Sequence, residues 1–139
     1  MLKKILVGIL VMPLVLLFLS PSESEARPRV YPIYKPDVIK VEGMSLKNVR
    51  EAVRRALFKR RWQTKKISST KIRATYTKRG RGVVHKAVVD VSFSKKSVKI
   101  KYHHSEFLNY DKATGTIHGT YNKWIQNMER DIRYQLGIY

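Results

Sequence analysis

The segment from Lys71 to Ser105 alternates apolar and polar residues across two turn signals. A period of two is typical of strands that are buried on one face only. The turn signals are Arg79-Gly80-Arg81-Gly82 and Ser94-Lys95-Lys96-Ser97. They separate three runs and favour hairpins. The pattern therefore predicts an antiparallel meander, to which Gln63 to Ser69 can add a fourth, polar edge strand.

Both turns lead to the same assignment of residues to the two sheet faces. If Arg79 pairs with Gly82 and Ser94 with Ser97, the apolar residues of all three strands lie on one face. Gly80 then takes the positive φ of a type II′ turn. The register that follows places Tyr76 opposite His85, Ala74 opposite Ala87, Val89 opposite Tyr102 and Ala87 opposite His104.

Amphipathic helices are predicted on both sides of the meander. The first follows the N-cap residue Ser45 and ends near Arg61. The second follows a loop from Glu106 to His118 and ends before Gly137, which suits a left-handed C-cap. Their apolar positions recur at helical spacing and are Leu46, Val49, Val53, Ala56 and Leu57 in the first helix, and Tyr121, Trp124, Ile125, Met128, Ile132 and Leu136 in the second. The predicted fold class is α+β, with both helices on one face of a sheet of three to four strands.

Met1 to Ala26 has the pattern of a secretory signal peptide. Lys3 and Lys4 form the positive start, Ile5 to Leu19 is apolar, and Ser24-Glu25-Ala26 is a small-x-small cleavage site. The apolar stretch is shorter than the ~20 residues that span a membrane, which favours cleavage over a retained anchor. We therefore expect a periplasmic or secreted mature protein with no transmembrane segment.

The mature chain divides into an arm and one domain. Residues 27–44 contain Pro28, Pro32 and Pro36, which favour an extended arm, and Asp37 to Glu42 can form a short strand within it. Residues 45–139 form the single α+β domain. The chain has no cysteine, which excludes a disulfide scaffold, an iron–sulfur cluster, a thiol nucleophile and a lipoprotein anchor.

Two runs of the sequence resemble a known family. They are Ile117-His118-x-x-Tyr121-Asn122-x-Trp124-Ile125 and the alternating His85-x-Ala87-x-Val89-x-Val91. The chain is similar to small uncharacterised periplasmic proteins and putative lipoproteins of Gram-negative bacteria. The resemblance covers about Leu46 to Leu136. It implies a location in the cell envelope, and it implies no catalytic residue or cofactor. Many such relatives carry a lipid anchor, for which this chain lacks the cysteine.

One polar cluster is predicted at an end of the apolar sheet face, where Tyr76, His85 and His104 converge. Its functional interpretation is a divalent metal site or a proton relay. We favour the structural interpretation, hydrogen-bonded residues at the core margin, because no carboxylate is placed beside the histidines. Strand alternation puts His103 on the opposite face from His104, so the pair is not expected to share one ion.

A second polar cluster is predicted at the start of the last helix, where His118 and Asn122 lie. Exposed helix amides favour an anion, so one interpretation is a small anion-binding pocket. The other is that both side chains tie the preceding loop to the start of the helix. We favour this second interpretation, because side-chain hydrogen bonds to the backbone commonly hold long loops in small domains.

The net charge of +19 belongs to the mature chain, because the signal peptide removes two lysines and two glutamates together. The predicted open sheet face displays Lys71, Arg73, Lys86, Lys99 and Lys101 around Asp90, and Arg79 and Arg81 extend the charge at the first turn. A charged face can be only a solvated surface, but a charge of this size exceeds what solubility requires and favours an anionic partner. Aromatic residues are scarce on this face, so base stacking has little support, whereas phosphate contact needs only charge.

No motif for catalysis occurs, and the acidic residues form no pair suited to general acid and base catalysis. We therefore expect no enzyme, no catalytic residue, no cofactor and no metal. The leading hypothesis is an exported envelope protein that docks on lipopolysaccharide, anionic phospholipid or an acidic polymer. The alternatives are a module that binds nucleic acid or an acidic protein, and a small metal-dependent enzyme using His85 and His104.

Overall fold

The structure is a computed structural model that describes residues 29–139, so the predicted signal peptide lies outside the described residues. It confirms the α+β class, with two helices and two antiparallel sheets. The helices are α1 (Leu46–Lys59) and α2 (Gly119–Gln135). The strands are β1 (Val30–Pro32), β2 (Ile39–Lys40), β3 (Gln63–Ser68), β4 (Lys71–Gly80), β5 (Val83–Phe93), β6 (Ser97–Glu106) and β7 (Thr116–His118). Neither helix of the described chain has the length and apolar character needed to cross a membrane.

The larger sheet has the strand order β2-β6-β5-β4-β3, and β1 pairs with β7 in a separate two-stranded sheet. The predicted polar edge strand is present as β3, all of whose residues are exposed. The short strand expected between Asp37 and Glu42 is present as β2. Residues 29–41 are therefore hydrogen-bonded to both sheets, through β1 and through β2.

The first hairpin turn differs from the predicted type II′ turn. Gly80 pairs with Val83, and the two loop residues Arg81 and Gly82 have φ values of 45° and 79°, as a type I′ turn requires. The predicted register of β4 with β5 is therefore wrong by two residues. Because the shift is even, each side chain keeps its predicted face. The observed pairs include Ala74 with Val89, Tyr76 with Ala87 and Lys78 with His85.

The second hairpin follows the predicted register as far as the pair of Val89 with Tyr102, which is confirmed. A β-bulge then places His103 as an extra residue in β6, so that Val88 lies opposite His104. The predicted pair of Ala87 with His104 is wrong, because the extra residue reverses the alternation of every later position in β6. Ala87 lies opposite Ser105 instead.

One hydrophobic core contains residues of both helices and of the larger sheet. Its sheet residues include Ile72, Ala74, Ala87, Val89, Val91, Val98 and Ile100, and its helix residues include Val49, Val53, Leu57, Tyr121, Ile125, Met128 and Ile132. These residues occupy the predicted periodic positions. Full burial of one aliphatic side chain of this size contributes about 1.5–3 kcal/mol, so the core is the main source of stability.

The structure has both predicted helix caps, one at the start of α1 and one at the end of α2. The Ser45 hydroxyl accepts a hydrogen bond from the Asn48 amide at 3.1 Å and so satisfies an amide at the start of α1. After α2, Gly137 has φ 72°, and the Ile138 amide donates to the Arg133 carbonyl at 2.9 Å. This is the hydrogen bond of a Schellman motif, and it satisfies a carbonyl at the end of the helix.

Candidate functional site

The basic sheet face consists of the β3–β6 residues that alternate with the core residues. It contains the predicted Lys71, Arg73, Lys86, Lys99 and Lys101 and the predicted acid Asp90, and strand pairing adds Lys65 and a second acid, Glu106. In one row across four strands, Lys65 lies beside Arg73, Arg73 beside Asp90, and Asp90 beside Lys101. Cationic side chains thus extend across the whole width of the meander.

Arg73 forms an ion pair with an acidic residue of this face. Its Nε and one terminal nitrogen donate to the two carboxylate oxygens of Asp90, at 2.8 and 3.0 Å. This hydrogen bonding lowers the pKa of Asp90, and the nearby charges of Arg73, His103 and Lys71 lower it further. Arg73 therefore contributes an internal ion pair, and its charge is largely neutralised at the centre of the basic sheet face.

Lys86 is also paired, because the bulge brings Glu106 onto the same face. The Lys86 ammonium lies 3.3 Å from a Glu106 carboxylate oxygen, and His104 Nε2 lies 3.4 Å from the same oxygen. The hydrogen bond from Lys86 lowers the pKa of the Glu106 carboxyl. Arg73 and Lys86, two of the predicted cations, thus both have acidic partners, although the sequence predicted only one acid, Asp90, on this face.

The remaining cations of the basic sheet face are open to ligands. Lys65, Lys99 and Lys101 are exposed, and none of them forms an ion pair with a carboxylate of residues 29–139. Lys71 is half-buried. The predicted Arg79 and Arg81 are exposed at the turn between β4 and β5 and extend the charge beyond the strands. This face can therefore offer a set of unneutralised ammonium groups to an extended anionic surface.

Tyr76, His85 and His104 do not converge, so the predicted cluster is wrong. Tyr76 packs between two tryptophans, its ring centroid 5.3 Å from that of Trp62 and 4.8 Å from that of Trp124. His85 Nδ1 lies 2.7 Å from the Phe107 carbonyl oxygen. The shifted turn separates Tyr76 from His85, and the bulge moves His104 to the basic sheet face.

The bulge also overturns the expected separation of His103 from His104. Both rings lie at the basic sheet face, His103 Nδ1 at 3.7 Å from Asp90 and His104 at 3.4 Å from Glu106. A bulged residue breaks strict alternation, so neighbouring side chains can share a face. Even so, the described residues contain no group of three or more histidine, aspartate or glutamate side chains that could hold one metal ion.

The polar residues at the start of α2 hold the backbone together. His118 is the N-cap, and its Nδ1 accepts a hydrogen bond from the Thr120 amide at 3.1 Å. The Asn122 side chain forms two hydrogen bonds with the N-terminal arm. Its Oδ1 accepts from the backbone amide of Tyr34 at 2.8 Å, and its Nδ2 donates to the Pro32 carbonyl at 2.9 Å. His118 thus ties the loop to the helix as expected, whereas Asn122 ties the arm.

The sequence did not indicate a hydrogen-bonded group between the arm and α2. The Tyr34 hydroxyl donates to Glu129 at 2.5 Å, and Glu129 also accepts two hydrogen bonds from Arg133, at 3.0 and 3.1 Å. The bond to Glu129, assisted by burial, raises the pKa of Tyr34 to about 12. No sequence period connects residues so far apart along the chain, so only the folded arrangement reveals this contact.

Comparison with known proteins assigns the chain to no family: no protein-family model matches it, and no curated protein matches it. Its functional interpretation therefore depends on the chemistry of its own residues.

Proposed function

We propose that this protein is a non-catalytic cell-envelope protein that docks on anionic surfaces through its basic sheet face. The observation that carries the proposal is the set of exposed, unneutralised lysines Lys65, Lys99 and Lys101 on one side of the sheet. We infer that both helices cover the opposite side and leave this one accessible. A broad sheet face can bring several ammonium groups to a flat anionic layer at the same time.

The energetics favour a membrane or a polymer over a single small anion. Each basic residue near an anionic membrane contributes about 1 kcal/mol, so a usable affinity requires several of them together. The net charge of +19 adds long-range attraction, and the scarcity of aromatic residues on the face argues against stacked bases. The signal-like Met1 to Ala26 and the resemblance to periplasmic proteins support an envelope surface, such as phospholipid or lipopolysaccharide, as the partner.

Sedimentation with vesicles tests this proposal. Wild-type protein should sediment with phosphatidylglycerol vesicles and remain in solution with phosphatidylcholine vesicles. Binding should weaken steeply with salt, because the Debye length is only ~10 Å at 0.1 M. The test variant reverses Lys65, Lys99 and Lys101 to glutamate. Arg73 is left unchanged because it holds Asp90.

The matched control reverses Lys47, Arg54 and Lys123, which are exposed on the two helices, to glutamate. It makes the same change in net charge on other surfaces. Loss of binding in the sheet variant alone supports a defined docking face. Equal loss in both variants would mean that net charge alone drives binding, and retention in the sheet variant would exclude the basic sheet face as the docking site.

A further inference from the structure

A cavity of about 510 Å³ lies at the free edge of β6, between this strand, the N-terminal arm and the loop that precedes β7. The cavity exists because β2 is short and pairs only with Ser97 and Val98 of β6. Among the described strands, none pairs with β6 on that side beyond Val98. The volume lies within the range of ~300–1,000 Å³ that is usual for sites of small ligands.

Tyrosine rings dominate the wall of this cavity. Tyr34, Tyr102, Tyr110 and Tyr121 line it together with Ile33 and Ile100. The ring centroids of Tyr102 and Tyr110 are 4.3 Å apart, and those of Tyr102 and Tyr121 are 5.8 Å apart, so these three rings pack against one another. Such a wall suits an apolar chain. The Tyr34 and Tyr102 hydroxyls are already hydrogen-bonded, to Glu129 and Ser105, which leaves those of Tyr110 and Tyr121 to bind polar atoms of a ligand.

Lysines surround the same cavity. Lys35, Lys99, Lys101 and Lys112 line it, and all four are exposed. None of the four forms an ion pair with a carboxylate within residues 29–139. A ligand in this cavity would therefore contact an apolar wall and an ammonium-rich rim. This combination suits an amphiphile that carries an anionic head group.

The Tyr121 hydroxyl is a hydrogen-bond donor that remains available to a ligand. Tyr121 is 1% exposed, yet its hydroxyl forms no hydrogen bond with any residue from 29 to 139. No fully enclosed side-chain oxygen or nitrogen of the described residues lacks a partner, so this hydroxyl keeps some accessible area, and the cavity is the space that Tyr121 lines. Burial raises the pKa of Tyr121, so the hydroxyl stays protonated and remains a hydrogen-bond donor.

We propose that this cavity binds one molecule of an anionic acyl phospholipid. Its phosphate lies among the rim lysines, its acyl chain lies against the tyrosine wall, and an ester carbonyl accepts the hydrogen bond of Tyr121. The inference rests on the proposed function, because Lys99 and Lys101 belong to both the basic sheet face and the rim. It adds that docking ends with one lipid inserted into the protein.

Calorimetric titration with dihexanoylphosphatidylglycerol, below its critical micelle concentration, tests the inference without a membrane. We expect saturable binding of one lipid per protein. Dihexanoylphosphatidylcholine should bind more weakly because its head group carries no net charge, and inorganic phosphate should not bind measurably. Absence of saturable lipid binding, or equally tight binding of phosphate alone, would overturn the proposal.

Two variants locate the binding site. Val38 is an exposed residue of the cavity wall, so Val38→Trp should fill the cavity and abolish titration. Tyr121→Phe removes only the unpartnered hydroxyl, and it should weaken lipid binding about fivefold without lowering the melting temperature. Val84→Trp, at an exposed position of the β4–β5 hairpin, is the control and should bind lipid normally.

The two proposals fail in different ways. If Val38→Trp loses lipid titration but still sediments with phosphatidylglycerol vesicles, both proposals stand. If wild-type protein binds the short lipid but does not sediment with vesicles, surface docking is wrong and the cavity assignment survives. If Val38→Trp and Tyr121→Phe both bind lipid as the wild type does, the cavity is not the lipid site.

Discussion

Arg73 of β4 and Asp90 of β5 lie opposite each other and form a bidentate ion pair in the middle of the basic sheet face. The pair holds one carboxylate on a surface that is otherwise dominated by cations. Asp90 also lies opposite Lys101 and near His103, so it reduces repulsion among several groups. The cost is a weaker field toward an anionic partner.

Asp90→Asn should therefore strengthen docking and weaken the fold. Removal of the carboxylate leaves Arg73 unneutralised, which should increase sedimentation with phosphatidylglycerol vesicles. The free energy of unfolding at neutral pH should fall by about 1–2 kcal/mol, because a charge-assisted hydrogen bond is lost. Weaker sedimentation of the variant would contradict an electrostatic docking face.

The same pair predicts a specific acid sensitivity. The pKa of Asp90 is lower in the folded protein than in the unfolded chain, so its stabilising contribution is present above the ordinary aspartate value of ~3.9. This contribution is lost as pH falls from there through the lowered value. Thermal melts at successive pH values should show the wild type converging on Asp90→Asn below about pH 4. A constant difference between the two proteins would exclude this linkage.

Arg81→Asn should stabilise the protein by about 0.5–1 kcal/mol. Arg81 has φ 45° in the type I′ turn, a conformation that asparagine tolerates better than arginine. Gly80→Ala is the matched variant, because Gly80 has no positive φ and a Cβ there would meet no atom closer than 3.9 Å. It should change stability little. A large loss from Gly80→Ala with no gain from Arg81→Asn would indicate the type II′ turn instead.

Asp131→Asn should lower the free energy of unfolding by about 2–3 kcal/mol, as urea denaturation can measure. Asp131 is only 4% exposed, and it binds Arg60 and lies 3.5 Å from the Lys59 ammonium, so it joins the end of α1 to α2. Asparagine would leave these cations without their counter-charge. Glu51→Gln, which breaks an exposed pair with Arg54 at 3.8 Å, is the control and should cost less than 0.5 kcal/mol.

Trp124→Ala should lower the free energy of unfolding by less than Ile125→Ala, although it removes the larger side chain. Trp124 is half-buried and packs edge-on against Tyr76, whereas Ile125 is fully buried in the core. We expect losses of about 2 and 3 kcal/mol, respectively, in urea denaturation. A loss above 4 kcal/mol for Trp124→Ala would mean that its exposed edge is covered in solution, for example by a second copy of the chain.

Local chemistry was sufficient to predict both helices and the strands of the larger sheet, whereas β1 and β7, in the expected arm and loop, were not predicted. The period of two between Lys71 and Ser105 predicted three strands, and helical spacing predicted both helices, because each period follows from backbone geometry. Ser45 and Gly137 marked helix ends because their conformational preferences act within one turn. The face of each lysine before the bulge was also predictable, since an even register shift preserves alternation.

Only the tertiary structure decided which of these side chains meet. The turn at Arg81 and Gly82 depends on small differences in free energy between types of hairpin turn. The bulge at His103 depends on packing against the neighbouring strand. Together they separated Tyr76, His85 and His104 and brought Glu106 to Lys86. The tyrosine cavity likewise needs the arm, β6 and α2 at the same time. Sequence periodicity specifies the face of an element, but contacts between distant segments depend on the free energy of the whole packed chain.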